Sequence, residues 1–324
     1  MSHRSSNVWT QHRRALSLGV ASDGDATVDG TAAQAIDQDF LAFLAWHGLG
    51  PWWLDRIEST RIVELTTPAV IESLTSQRRA AMAAYMMQRG AIQELGAEFE
   101  RRDIAYVVIK GGATREVAYD KPYLRVGSDV DVLLSPNNRE RADAVLTELG
   151  YTLDAGSAAS AHEATYVRGS AAVDLHWNIL SPGRTRRNVT DELLSRRVRE
   201  SYFWRLADDD TVLLMLAHPA FAKYVCSPHM GLNRVLDFGL FVETRAVAWA
   251  VVSSRLASMG LQTAAWCTLT WMQMIDRRAQ QVPTTFLTAI APSAAKQWYL
   301  QQWLDNDLPG RLADRADWLI RAAF

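Results

Sequence analysis

Ser128-Asp129-Val130-Asp131-Val132-Leu133-Leu134, residues 128–134, decides the fold. An apolar run of this length, closed by Ser135-Pro136, predicts a buried strand over 129–134. Alternate side chains of a strand share a face, so Asp129 and Asp131 point the same way. Taken alone, an Asp-x-Asp pair also fits an exposed strand edge. Its weight comes from a third carboxylate in Val173-Asp174-Leu175-His176-Trp177. There Val173, Leu175 and Trp177 take one face of a strand, and Asp174 and His176 take the other, toward a cleft. Three converging carboxylates cannot all stay ionised cheaply unless a cation sits among them. Hard divalent ions such as magnesium prefer oxygen ligands and leave room for phosphates. The set implies metal-assisted chemistry on a nucleotide.

On the N-terminal side, Ile104–Ile109 reads as a short strand that ends at Lys110-Gly111-Gly112. A Gly-Gly turn lets backbone amides approach a phosphate, and Lys110 could neutralise its charge; a plain tight turn has the same sequence. Before that strand, Met82, Tyr85, Ile92, Leu95 and Phe99 predict one face of a long helix. Ile36, Phe40, Phe43 and Leu44 predict a shorter helix, stopped at Gly48-Leu49-Gly50-Pro51. On the C-terminal side, Ser135 as N-cap and Pro136 in the first turn open a helix that Gly150 closes. A hairpin follows, with arms Thr165–Val167 and Ala172–Trp177 and the turn at Arg168-Gly169-Ser170. Beyond residue 190 the apolar spacing is helical: Val212, Leu213, Leu216 and Ala217, then Leu232, Val235, Leu236 and Leu240, then Trp266, Leu269 and Ile275. The expected architecture is α+β, a small mixed sheet with helical N-terminal and C-terminal layers. The expected divisions are an arm over 1–33, a helical region over 34–102, an α/β core over 103–185 and a helical region over 186–324.

The 324 residues suffice for a sizeable core, and a net charge of −2 gives no basic excess to argue for nucleic acid as a main partner. Two cysteines, Cys226 and Cys267, are too few for a zinc cluster and read as small core residues. No apolar run is long enough to span a bilayer, and residues 1–14 lack a signal-peptide segment, so a cytoplasmic location is expected. Gln11-His12-Arg13-Arg14 reads as part of a solvated tail.

The ordered set Gly-Gly, Asp-x-Asp, later Asp resembles the DNA polymerase beta-like nucleotidyltransferase superfamily. More closely, Lys110-Gly111-Gly112, Tyr119, Arg125, Asp129–Leu134, Leu149-Gly150-Tyr151, His162 and Val173–Trp177 resemble a bacterial branch of uncharacterised nucleotidyltransferases; His218 and Leu236-Asp237 also fit its pattern. Gly112 stands where many superfamily members carry Ser, and the spacing to Asp129 is longer than in the general superfamily.

The resemblance implies that Asp129, Asp131 and Asp174 hold two magnesium ions, or manganese in their place, and that Asp174 helps deprotonate the acceptor. It implies that Gly111 and Gly112 support the triphosphate of an NTP such as ATP, with Arg125 as triphosphate clamp or, alternatively, partner of a surface acid; Lys110, Ser128 and His176 are further candidates to bind it. His176 could also orient Asp174 or hydrogen-bond within the sheet, His162 could be a solvated loop residue, and Asp237 a structural partner of Arg234 or another base. The implied reaction moves an NMP to a hydroxyl or phosphate of a peptide or small molecule, as in natural-product biosynthesis, and releases pyrophosphate. Phosphoryl transfer, protein modification and a non-catalytic nucleotide-binding module are the alternatives.

Overall fold

Thr67 and Pro68 start the longest helix among the described residues. In the computed structural model, which describes residues 38–59, 67–157, 161–222 and 231–306, two short helices precede it, α1 (Gln38–Trp46) and α2 (Gly50–Ser59). The long helix, α3 (Pro68–Arg101), has the Thr67 side chain accepting from the Val70 amide at 3.4 Å and proline in its first turn. Its buried stripe includes Leu74, Ala81, Tyr85, Gln88, Ile92, Leu95 and Phe99. Met82 lies off this stripe and is exposed, contrary to the periodicity reading, because the row through Tyr85 runs back to Ala81. The expected arm over 1–33, with Gln11–Arg14, and Ile36 and Cys226 lie outside the described residues.

The core follows as β1 (Tyr106–Val108), α4 (Lys110–Ala118), β2 (Val130–Leu134), α5 (Arg139–Glu148), β3 (Thr152–Leu153), β4 (Glu163–Arg168) and β5 (Ala171–His176). Ser135 Oγ accepts from the Asn137 amide at 3.4 Å at the entry to α5, and Gly150 beyond its end has φ +81°, a conformation that favours glycine. Arg168 pairs with Ala171, so the hairpin turn is Gly169-Ser170, tighter than the sequence suggests. Two further differences bear on the site. Asp129 precedes β2 instead of opening it, and Gly111-Gly112 form the first turn of α4 instead of a loop.

The remaining elements are α6 (Thr190–Ser195), β6 (Val198–Arg199), β7 (Trp204–Arg205), α7 (Asp208–Ala222), α8 (Asn233–Thr244), α9 (Trp249–Met259), α10 (Gln262–Ile275), α11 (Thr284–Ile290) and α12 (Ala294–Asn306). The seven strands form one sheet in the order β3-β4-β5-β2-β1-β7-β6, with β2–β5 and β1–β7 parallel and the other pairs antiparallel. The fold is thus the expected mixed sheet with helical layers. It takes two extra strands, β6 and β7, from a stretch read as helical; each is two residues long, too short to show a period.

The sheet separates two apolar cores. Val130, Val132, Leu134, Val173, Leu175 and Trp177 pack with Leu95 and Phe99 of α3 and Val145 and Leu146 of α5. On the opposite face Val107, Ile109 and Leu133 join the core built by α7 to α10, whose members include Val212, Leu213, Leu216, Leu236, Leu240 and Leu269. Free Cys267 lies in this second core, where burial pushes its thiol up to about 12. Buried Asp210 ties the layer together, accepting from Arg196 at 2.9 Å and Arg255 at 2.7 Å. No helix among the described residues is long and apolar enough to cross a membrane.

Candidate active site

The face that carries Leu133 into the second core turns polar at one end. Parallel pairing sets Asp131 of β2 directly beside Asp174 of β5, and period-2 alternation puts His176 on the same side. The antiparallel β4 strand adds Thr165 opposite Asp174 and Glu163 opposite His176. Ligand atoms of Asp131, Asp174 and His176 all lie within 4.8 Å of one another. His176 is buried between carboxylates, its Nε2 2.9 Å from Asp131 Oδ1 and its Nδ1 3.2 Å from Glu163 Oε2. Thr165 Oγ1 donates to Asp174 Oδ1 at 2.7 Å.

Asp129 lies apart from this cluster. It lines the same cavity but is not one of the three residues whose ligand atoms converge. Its carboxyl is raised above the ordinary range, first by burial and then by the negative charges of Asp131 and Asp174. A cation held by these oxygens would relieve that repulsion, so the donor set fits a hard divalent ion. Ser128 is exposed at the rim.

Lys110 begins α4 with φ 52°, a left-handed conformation that costs a lysine energy and occurs where the surroundings impose it. This conformation accompanies an inward ammonium: Nζ donates to Asp131 Oδ1 at 2.5 Å and lies 3.3 Å from His176 Nε2. Burial alone would raise the Asp131 carboxyl, but Lys110 and His176 outweigh it and hold the group well below the usual carboxylate range. Lys110 therefore neutralises Asp131.

The two glycines keep the helix close to its neighbours. A Cβ on Gly112 would stand 3.0 Å from Val108 Cγ1 of β1, and one on Gly111 would overlap the Arg125 guanidinium. Arg125 cannot easily yield. Its Nη2 donates to Asp237 Oδ2 at 2.9 Å, its Nε to the same carboxylate at 3.1 Å, and its Nη1 to the Val126 carbonyl at 2.7 Å. Tyr119 donates to Asp237 Oδ1 at 2.8 Å, which completes a buried link from α4 to α8. The acid paired with Arg125 is thus a buried one, and it is Asp237, not a surface group. Gly111→Ala is expected to destabilise the fold by about 1–3 kcal/mol through overpacking, read as a lower urea midpoint with an unchanged slope.

Four supporting residues escape a reading of motifs. Glu163 and Thr165 do so although the alternation Glu163-Ala164-Thr165-Tyr166 marks them as one polar face. Gln88 and Arg115 hold the loop before Asp129: Arg115 Nη1 donates to Gln88 Oε1 at 2.5 Å, and Gln88 Nε2 to the Gly127 carbonyl at 2.9 Å. No local pattern predicts that pair, since it joins α3 to α4.

These groups line a cavity of about 920 Å³, of the size that holds a small-molecule ligand. His162 and Glu163, the first turn of α4, His218 of α7 and Arg234 of α8 are among the lining residues. Burial, Lys110 and Arg234 hold His218 well below the ordinary histidine range, so its ring is neutral.

No curated protein matches the chain in sequence. Among solved structures, the solution structure of the antibiotic-resistance factor ANT(2'')-Ia is similar at 12% identity and a TM-score of 0.38, over 53% of this chain and 92% of that one. Residues 34–275 match a family described as uncharacterised nucleotidyltransferase. That match runs from α1 through α10 and takes in every residue of the cavity described above. The chain accordingly belongs to this family of uncharacterised nucleotidyltransferases and is an enzyme of the nucleotidyltransferase class.

Proposed function

We propose that the protein moves an NMP from a metal-bound NTP to a hydroxyl or phosphate of a small-molecule or peptide acceptor, with release of pyrophosphate. The observation that carries this reading is the side-by-side placement of Asp131 and Asp174 on parallel strands, facing the cavity beneath the first turn of α4. Asp131, Asp174 and Asp129 would hold magnesium, or manganese in its place, which supplies charge neutralisation for the attacking and leaving oxygens.

The chain's own groups do the rest. Gly111 and Gly112 present the α4 N-terminus, with its unpaired amides and positive dipole end, to the phosphates. Lys110 can exchange Asp131 for a phosphate oxygen once another cation takes its place. Among the described residues only Thr165 donates to Asp174, so one oxygen of that carboxylate stays available to take the acceptor's proton. In the balanced step the acceptor oxygen bonds to the α-phosphorus, the bond to the bridging oxygen breaks, and the electron pair leaves with pyrophosphate. His176 and Glu163 hold Asp131 in place from below.

The test follows label from NTP into product. With phosphorus label at the α-position, acceptor and label should travel together in the presence of magnesium. With label at the γ-position, all of it should appear in pyrophosphate. Transfer of the γ-label to the acceptor would instead establish phosphoryl transfer.

A further inference from the structure

Positive charge in the cavity is not distributed as the sequence suggests. Lys110 is neutralised by Asp131 and Arg125 by Asp237. Arg115 is turned to Gln88, with Glu116 3.8 Å away. Arg184 also lines the cavity without an ion pair among the described residues, but its guanidinium lies over the Phe221 ring, 5.4 Å from the centroid. Arg234, the second residue of α8, likewise forms no ion pair among the described residues. Its Nη1 lies 3.2 Å from Nδ1 of His218, which accepts the hydrogen bond as a neutral ring. Arg234 lines the cavity close enough to Asp129 and Asp131 for both to act on its charge, and burial together with Arg125 disfavours its charged form. A half-buried guanidinium with carboxylates nearby but none in contact is incompletely compensated. A ligand anion that filled the space in front of it would complete that compensation.

We propose that Arg234 is the phosphate anchor of the cavity: its guanidinium binds the triphosphate tail of the nucleotide in the cavity that Asp131 and Asp174 also line, and His218 orients it. The proposal rests on the nucleotidyltransferase reading and moves the clamp from Arg125 to Arg234. The planar fork suits phosphate oxygens. The first turn of α4 lines the same cavity, so the two anion-favouring elements can share one ligand. His218 is a positioning residue in this scheme, since it acts through the guanidinium.

Calorimetry on the full chain tests the assignment, with magnesium plus each NTP, magnesium plus inorganic tripolyphosphate, and the free nucleosides as probes. Arg234→Gln should weaken NTP and tripolyphosphate binding by about 10- to 100-fold and leave nucleoside binding unchanged. Arg234→Lys keeps the charge without the fork; it should fall between the two and serves as the probe if the Gln variant does not fold. If the parent binds NTP and the folded variants bind NTP and tripolyphosphate as tightly, the anchor assignment is overturned while the nucleotidyltransferase reading stands. Unchanged affinity for both probes with loss of transfer would place the anion on the acceptor and also overturn it. If the parent binds no NTP at all, the underlying reading fails first.

Discussion

Asp131→Asn is expected to lower NTP-dependent transfer by about 10³-fold while the chain stays folded. Asp131 is the junction of the site: Lys110 donates to it, His176 contacts it, and Asp174 stands beside it in register. Asn keeps the shape but cannot balance the ammonium or a divalent ion. Lys110 retains partial access to solvent and can turn outward, so the stability penalty should be small compared with the loss of rate. Initial rates of pyrophosphate release, with a melting curve as control, measure both quantities. Activity within about tenfold of the parent would remove Asp131 from the reaction. Asp174→Asn should behave alike, and the double variant should lose little more, because residues acting as one unit are not additive.

The largest stability effect is expected at Asp237. It is buried, accepts from Tyr119 and Arg125, and joins α4 and the segment after it to α8. Burial first, and then the Asp237 charge, push the Tyr119 phenol well above its ordinary range, so it remains a neutral donor. Asp237→Ala would leave the Arg125 guanidinium buried and unpaired, at a cost of about 3–5 kcal/mol. Urea denaturation reads this as a lower midpoint. Pairing Asp237→Leu with Arg125→Met should recover much of the loss, since removal of both charges avoids the orphan. A cost below about 1 kcal/mol for Asp237→Ala would mean that water reaches the pair and that the link is not buried.

What could be read from residues alone follows from range. Val130–Leu134 is a strand by its apolar run and Val173–His176 by its alternation, and that alternation already puts Asp174 and His176 on one face. Their meeting with Asp131 depends on β2–β5 register, which the buried faces of both strands enforce. Parity does not fix where the Asp129 carboxylate points, since it holds only inside a strand and Asp129 precedes one; Asp129 still lines the same cavity. Gly111-Gly112 looks like a turn because glycine is a poor helix former; packing against Val108 and Arg125 overrides that preference. The Arg125–Asp237 pair spans 112 positions, and no local signal distinguishes it from Arg234–Asp237. That exchange of partners leaves Arg234 without an ion pair among the described residues.

Asp131 and Asp174 are the proposed seat of a divalent ion, and occupancy of that seat is the central expectation. Manganese titration followed by the free-ion electron paramagnetic resonance signal, in the presence of NTP, measures it. The expected result is uptake by the parent chain and none above the nucleotide's own binding by a folded Asp131→Asn, Asp174→Asn variant. Equal uptake by both proteins would contradict it.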